Sequence, residues 1–184
     1  MRVSVLISVV ILMFSPLSMA GEGEAVDKEK LKHIVDGWTT GTWEPLVIRV
    51  RGEGGWNISD DEEKPAVAKK NDDYSLTFYE AGGEPMWVLD FSSGYYDVKS
   101  YDKEKKKFGE TYRASFVSYE LNGPDDFSFL IMWDEPAKDG SKRYSEGTSL
   151  GAYKSWSGFK LDSKGGRNYN FSNIFTIKAT SATP

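Results

Sequence analysis

From about residue 48 onward the apolar residues of this chain recur with a period of two, and that limits the fold more than any other feature. Ile48 and Val50 alternate with Arg49 and Arg51, and Tyr74, Leu76 and Phe78 alternate with Ser75, Thr77 and Tyr79. Phe127, Phe129, Ile131 and Trp133 share one face opposite Ser128, Leu130, Met132 and Asp134. Tyr169, Phe171, Phe175 and Ile177 oppose Asn170, Ser172, Thr176 and Lys178 in the same way. Successive side chains of a strand point to opposite faces, so each run reads as a strand with one buried face.

Further strands are expected near Met86 to Phe91, Tyr95 to Tyr101, Thr111 to Leu121 and Leu150 to Leu161. The runs are separated by Gly52-Glu53-Gly54-Gly55, Ala81-Gly82-Gly83, Asn122-Gly123-Pro124, Asp139-Gly140 and Lys164-Gly165-Gly166, residues that tolerate positive φ or pre-set a turn. No helical pattern lies between successive strands, which disfavours parallel crossovers. The expectation is an all-β fold, an antiparallel meander of about eight or nine strands. Such a sheet closes into a barrel or folds into a β-sandwich, because left open it exposes its edges. Only residues 27–36 carry a helical period, with Leu31, Ile34 and Val35 on one face of a short charged helix.

The N-terminus reads as a signal peptide over residues 1–20: Arg2, a predominantly apolar run from Val5 to Phe14, then the small residues Ser18 and Ala20. The run is too short for a stable crossing of a bilayer core of about 30 Å, so no membrane span is expected once the leader is removed. One domain, residues 21–184, follows, with 179–184 expected to fray. Without Arg2 it has 22 basic and 28 acidic residues, a net charge of −6 with the histidine neutral. Nucleic acid, which demands a basic surface, is not an expected partner. Export without any cysteine fits a secreted or periplasmic protein of a bacterial envelope.

Composition also removes chemistries. Without cysteine and with one histidine, His33, the chain has no thiol nucleophile and no Cys/His zinc site, and no Gly-x-Ser-x-Gly elbow stands ready for a serine hydrolase. Ser59-Asp60-Asp61-Glu62-Glu63-Lys64-Pro65 lacks the ligand spacing of a calcium loop, and Asp102 to Lys107 reads as a hairpin tip. No metal or other cofactor is expected.

Between the helix and the first strand lies Gly41-Thr42-Trp43. A glycine two residues before a tryptophan at this place resembles the opening motif of the calycin group, the lipocalins and avidins. The resemblance implies an antiparallel barrel in which Trp43 plugs the closed end and Gly41 permits close backbone approach beneath it. Both residues would then be structural.

Phe, Trp and Tyr make up 26 of the 184 residues, enough to line a pocket as well as fill a core. Trp87, Trp133 and Trp156 are the candidate ligand-binding aromatics. Asp90 shares a strand face with Met86 and Val88, which makes it the candidate polar group pointing inward. Asp90, Glu120, Asp134 and Glu135 are the carboxylates that could serve as an acid–base pair, although Asp134-Glu135-Pro136 also reads as a strand running into a turn. Asn57-Ile58-Ser59 and Asn170-Phe171-Ser172 match the glycosylation acceptor, which has meaning only in a eukaryotic source. The expected function is non-enzymatic binding of a small apolar or aromatic ligand inside the barrel. The alternatives are a carbohydrate-directed β-sandwich using carboxylates and exposed tryptophan, and an envelope interaction or inhibitor protein without a pocket.

Overall fold

The structure is a computed structural model that describes residues 26–40, 42–52, 55–58, 65–151, 153–161, 164–168 and 173–180. The expected leader, Gly41, the acidic segment 59–64, Tyr169 to Phe171 and the last four residues lie outside the described residues.

Helix α1 runs from Lys28 to Trp38, two residues beyond the expected end. Asp27 caps it by accepting a hydrogen bond from the Glu29 amide. Thr39 closes it, its hydroxyl and its amide both donating to the Val35 carbonyl. Leu31, Ile34, Val35 and Trp38 follow the i, i+3, i+4, i+7 spacing, and all four are buried. Burial of side chains of this size contributes about 1.5 to 3 kcal/mol each.

The strands are β1 (Thr42–Gly52), β2 (Gly55–Ile58), β3 (Pro65–Asp72), β4 (Ser75–Glu80), β5 (Pro85–Asp90), β6 (Tyr96–Asp102), β7 (Lys107–Gly123), β8 (Asp126–Trp133), β9 (Arg143–Leu150), β10 (Tyr153–Leu161), β11 (Arg167–Asn168) and β12 (Asn173–Thr180). They form one sheet in the order β2-β1-β12-β10-β9-β8-β7-β6-β5-β4-β3, with β11 beside β10. The eight strands β3 to β10 make an uninterrupted antiparallel meander. The sheet curls into a half-barrel and brings β1 within 8 Å of β3, Cα to Cα, with no ladder between the two among the described residues. The expected all-β meander with one short helix is therefore the observed fold, as a single curled sheet. Bulges in the 17-residue β7 help to bend it around the core. Ala179 and Thr180, expected to fray, instead pair with Trp43 and Thr42 of β1.

The register fixes the concave face. Phe78 pairs with Trp87 and Trp87 with Ser100; Tyr96 pairs with Ala114 and Ala114 with Trp133; Phe129 pairs with Gly147 and Gly147 with Trp156. Against this face α1 closes one end of the curl. Trp38 meets Phe78 and Phe127 at ring separations of 6.0 and 6.3 Å. A Cβ on Gly37 would lie 2.2 Å from the Pro124 carbonyl oxygen in the β7–β8 turn, so only glycine lets helix and turn approach this closely. Around the helix Lys28 donates to the Ser92 carbonyl, Tyr74 donates to Glu29, and Lys70 pairs with Asp36. These are surface contacts worth at most about 1 kcal/mol each, so apolar burial holds the helix in place.

Candidate functional site

At the end of the curl away from α1 the described residues do not fill the concave face. A cavity of about 570 Å³ remains, with Trp38 of α1 at its inner end and Phe78, Trp87, Leu89, Tyr96, Val98, Trp133 and Trp156 among its walls. Ser100, Tyr112, Arg113, Glu135 and Arg143 give it a polar border. That volume is of the size that small organic ligands occupy, and an apolar wall with a few polar groups is the usual make-up of such sites.

The aromatic walls are held by one another and by a few hydrogen bonds. Phe78 and Trp87 lie 5.2 Å apart, and the edge of Tyr96 meets Trp133 at 5.9 Å and 83°. The Trp133 indole N–H donates to the hydroxyl of buried Ser145 at 2.9 Å, which fixes the ring. Burial raises the Tyr96 phenol well above the ordinary tyrosine range, offset in part by a hydrogen bond with the Trp156 side chain. Tyr96 therefore stays neutral, a wall rather than an acid–base group. Phe129 covers Gly147 so closely that a Cβ there would sit 2.3 Å from the ring.

Trp87, Trp133 and Trp156, the three aromatics singled out in the sequence, all line this one cavity. Asp90 does not, because pairing of Phe78 with Trp87 turns Trp87 and Leu89 inward and leaves Asp90 on the outer face, where it accepts from the Ser92 amide. The polar group expected to point inward is therefore not Asp90. It borders instead a separate surface depression of about 250 Å³ with Val88, Asp97, Lys99, Thr111 and Arg113. There Asp97 takes two 2.7 Å hydrogen bonds from the Arg113 guanidinium and one from Ser93. Burial alone would raise the Asp97 carboxyl, but the Arg113 and Ser93 hydrogen bonds outweigh it and hold it below the usual carboxylate range. This is a satisfied clamp joining β6 to β7.

Glu120 and Asp134 are exposed, the latter just past β8 with its amide bonded to the Arg113 carbonyl; of the four carboxylates, Glu135 alone borders the cavity. Among the described residues no three His, Asp or Glu side chains converge as a metal site would require, and no helix is long and apolar enough to cross a membrane. Gly41 lies outside the described residues; Trp43 is in β1, its backbone paired with Ala179.

Trp38, Tyr96 and Arg143 are among the cavity residues that were not singled out from the sequence. Trp38 carried a signal, standing at i+7 from Leu31 on the helical stripe. Tyr96 lies on the same face as Val98 in a short strand. Arg143 follows a turn and looks like any solvated arginine. Compared with protein-family models, with curated proteins and with solved structures, the chain matches none of them.

Proposed function

We propose that this protein is a non-enzymatic binding protein, exported from the cytoplasm, that holds a small apolar or aromatic ligand in the open end of its curled sheet. The observation that carries the reading is the 570 Å³ cavity walled by Trp87, Tyr96, Trp133 and Trp156 and floored by Trp38. Apolar area removed from water supplies the affinity, at about 25 cal/mol per Å², and the flat faces of the indoles favour ring-bearing ligands. Of the four candidate carboxylates only Glu135 borders this cavity, which favours the binding reading over the carbohydrate-directed alternative.

A calycin-type barrel remains the finer form of this proposal, resting on Gly41-Thr42-Trp43 at the entry to β1. If Trp43 plugs a barrel end, Trp43→Ala lowers stability by about 3 to 5 kcal/mol. Titration with the neutral fluorophore N-phenyl-1-naphthylamine, followed by its emission and by quenching of tryptophan, tests the binding itself. Saturable binding that weakens about five-fold or more in Trp133→Ala or Trp156→Ala supports the cavity, that being the worth of about 1 kcal/mol of aromatic contact. A wild-type protein that leaves the probe's emission unchanged would end the proposal.

A further inference from the structure

Two arginines border the cavity, Arg113 and Arg143, and they differ in whether a carboxylate engages them. Three arginines have described side chains. Arg113 is engaged by Asp97 and Arg167 by Glu146, whereas Arg143 has no carboxylate within 4 Å among the described residues. Arg143 opens β9 opposite Lys160, whose own ammonium is taken up by Asp139 at 3.0 Å. The Arg143 guanidinium lies 5.6 Å from the centre of the Trp133 ring, which is itself anchored to Ser145. It is half-buried and held over a fixed aromatic plane.

A guanidinium in this position retains a planar fork of N–H donors that suits two-point bonding to a carboxylate or sulfonate. Its interaction with an anion is strengthened by the apolar walls beside it, where little water competes. We infer that Arg143 anchors the anionic head of the ligand, whose apolar or aromatic body lies along Trp133 and Trp156. On this inference, which rests on the cavity reading above, the ligand class is a small amphipathic acid. Glu135, exposed on the same border, confines the head to the Arg143 side by like-charge repulsion.

Two probes with one aromatic body separate the inference from the reading it depends on. 1-Anilinonaphthalene-8-sulfonate carries the anion and N-phenyl-1-naphthylamine lacks it. The wild-type protein is expected to bind the sulfonate about ten-fold more tightly, an advantage that shrinks as salt is raised. Arg143→Gln removes that advantage while leaving the neutral probe within about two-fold of wild type, and Glu135→Gln increases affinity for the sulfonate alone. Retained neutral-probe binding also reports that the Gln variant is folded. Equal affinity for the two probes, or an Arg143→Gln loss shared equally by both, would overturn the anchor and leave the cavity standing. Failure of both probes on the wild type would remove the cavity reading and the anchor with it.

Discussion

The two ends of the curled sheet are built from the same alternating aromatic face and end differently. At the closed end α1 supplies Leu31, Ile34, Val35 and Trp38, and the apolar face is covered; Phe127 there is 2% exposed. At the other end no element among the described residues caps the walls, and Trp87, Trp133 and Trp156 are only partly buried.

The cations follow the same division. Lys154, 1% exposed, donates from its ammonium to the Pro124 and Gly151 carbonyls, to the Ser149 hydroxyl and to Asp125, tying the β7–β8 turn to the β9–β10 turn. Arg143, at the opposite end of β9 and β10, has no such company among the described residues. Where a buried or half-buried charge is fully met by the fold, it serves the fold; where it is not, it is available to something else.

That contrast can be broken by substitution. Phe127→Ala is expected to cost about 4 kcal/mol, because a large side chain leaves a cavity between helix and sheet that neither can fill. Trp87→Ala, at a wall already open to solvent, should cost clearly less while weakening ligand binding. Chemical denaturation of the two variants checks the ordering, and equal losses would show that the two ends are packed alike.

Lys154→Met is the next largest, at about 2 kcal/mol, since Pro124, Gly151 and Ser149 lose a shared donor while exposed Asp125 returns to water. Arg143→Met, in the same melts, is expected to leave stability nearly unchanged.

The smallest effect concerns acid. The Asp97 carboxyl is depressed on folding, so its contribution is present above the unfolded value of about 4 and is lost as pH falls through the lower folded value. Stability measured from pH 6 down to pH 2 should therefore fall less steeply in Asp97→Asn than in the wild type. Parallel slopes would show that the Arg113 clamp gives the folded state no preference for the ionised carboxylate.

The strands that alternate large and polar residues were legible, β4, β8 and β12 above all. β9 was not, and the reason is physical: its inward positions are Arg143, Ser145, Gly147 and Ser149, so it has no apolar face of its own. It lies between β8 and β10, whose Phe129 and Trp156 flank and cover it, and that space is filled from neighbouring strands. β3 was missed for a related reason, since Lys69 to Asp72 alternate nothing.

On β5 both faces carry apolar residues, Met86 and Val88 on one and Trp87 and Leu89 on the other. Only the register with β4 decides which is inside, and that is not written in β5 itself. The tryptophans could be found because size and periodicity mark them. Lys154 and Arg143 could not, because their roles depend on acceptors present or absent on segments far away in sequence.

The central claim is that the open end is the binding end, and the six tryptophan indole N–H signals together with the backbone amides give the most direct reading of it. In a heteronuclear NMR titration with N-phenyl-1-naphthylamine, the indole signals of Trp87, Trp133 and Trp156 are expected to move together and saturate, while the Asp125 and Gly151 amides at the Lys154 clamp stay in place. Saturable movement of Asp125 and Gly151 with the three indoles unmoved would contradict the account.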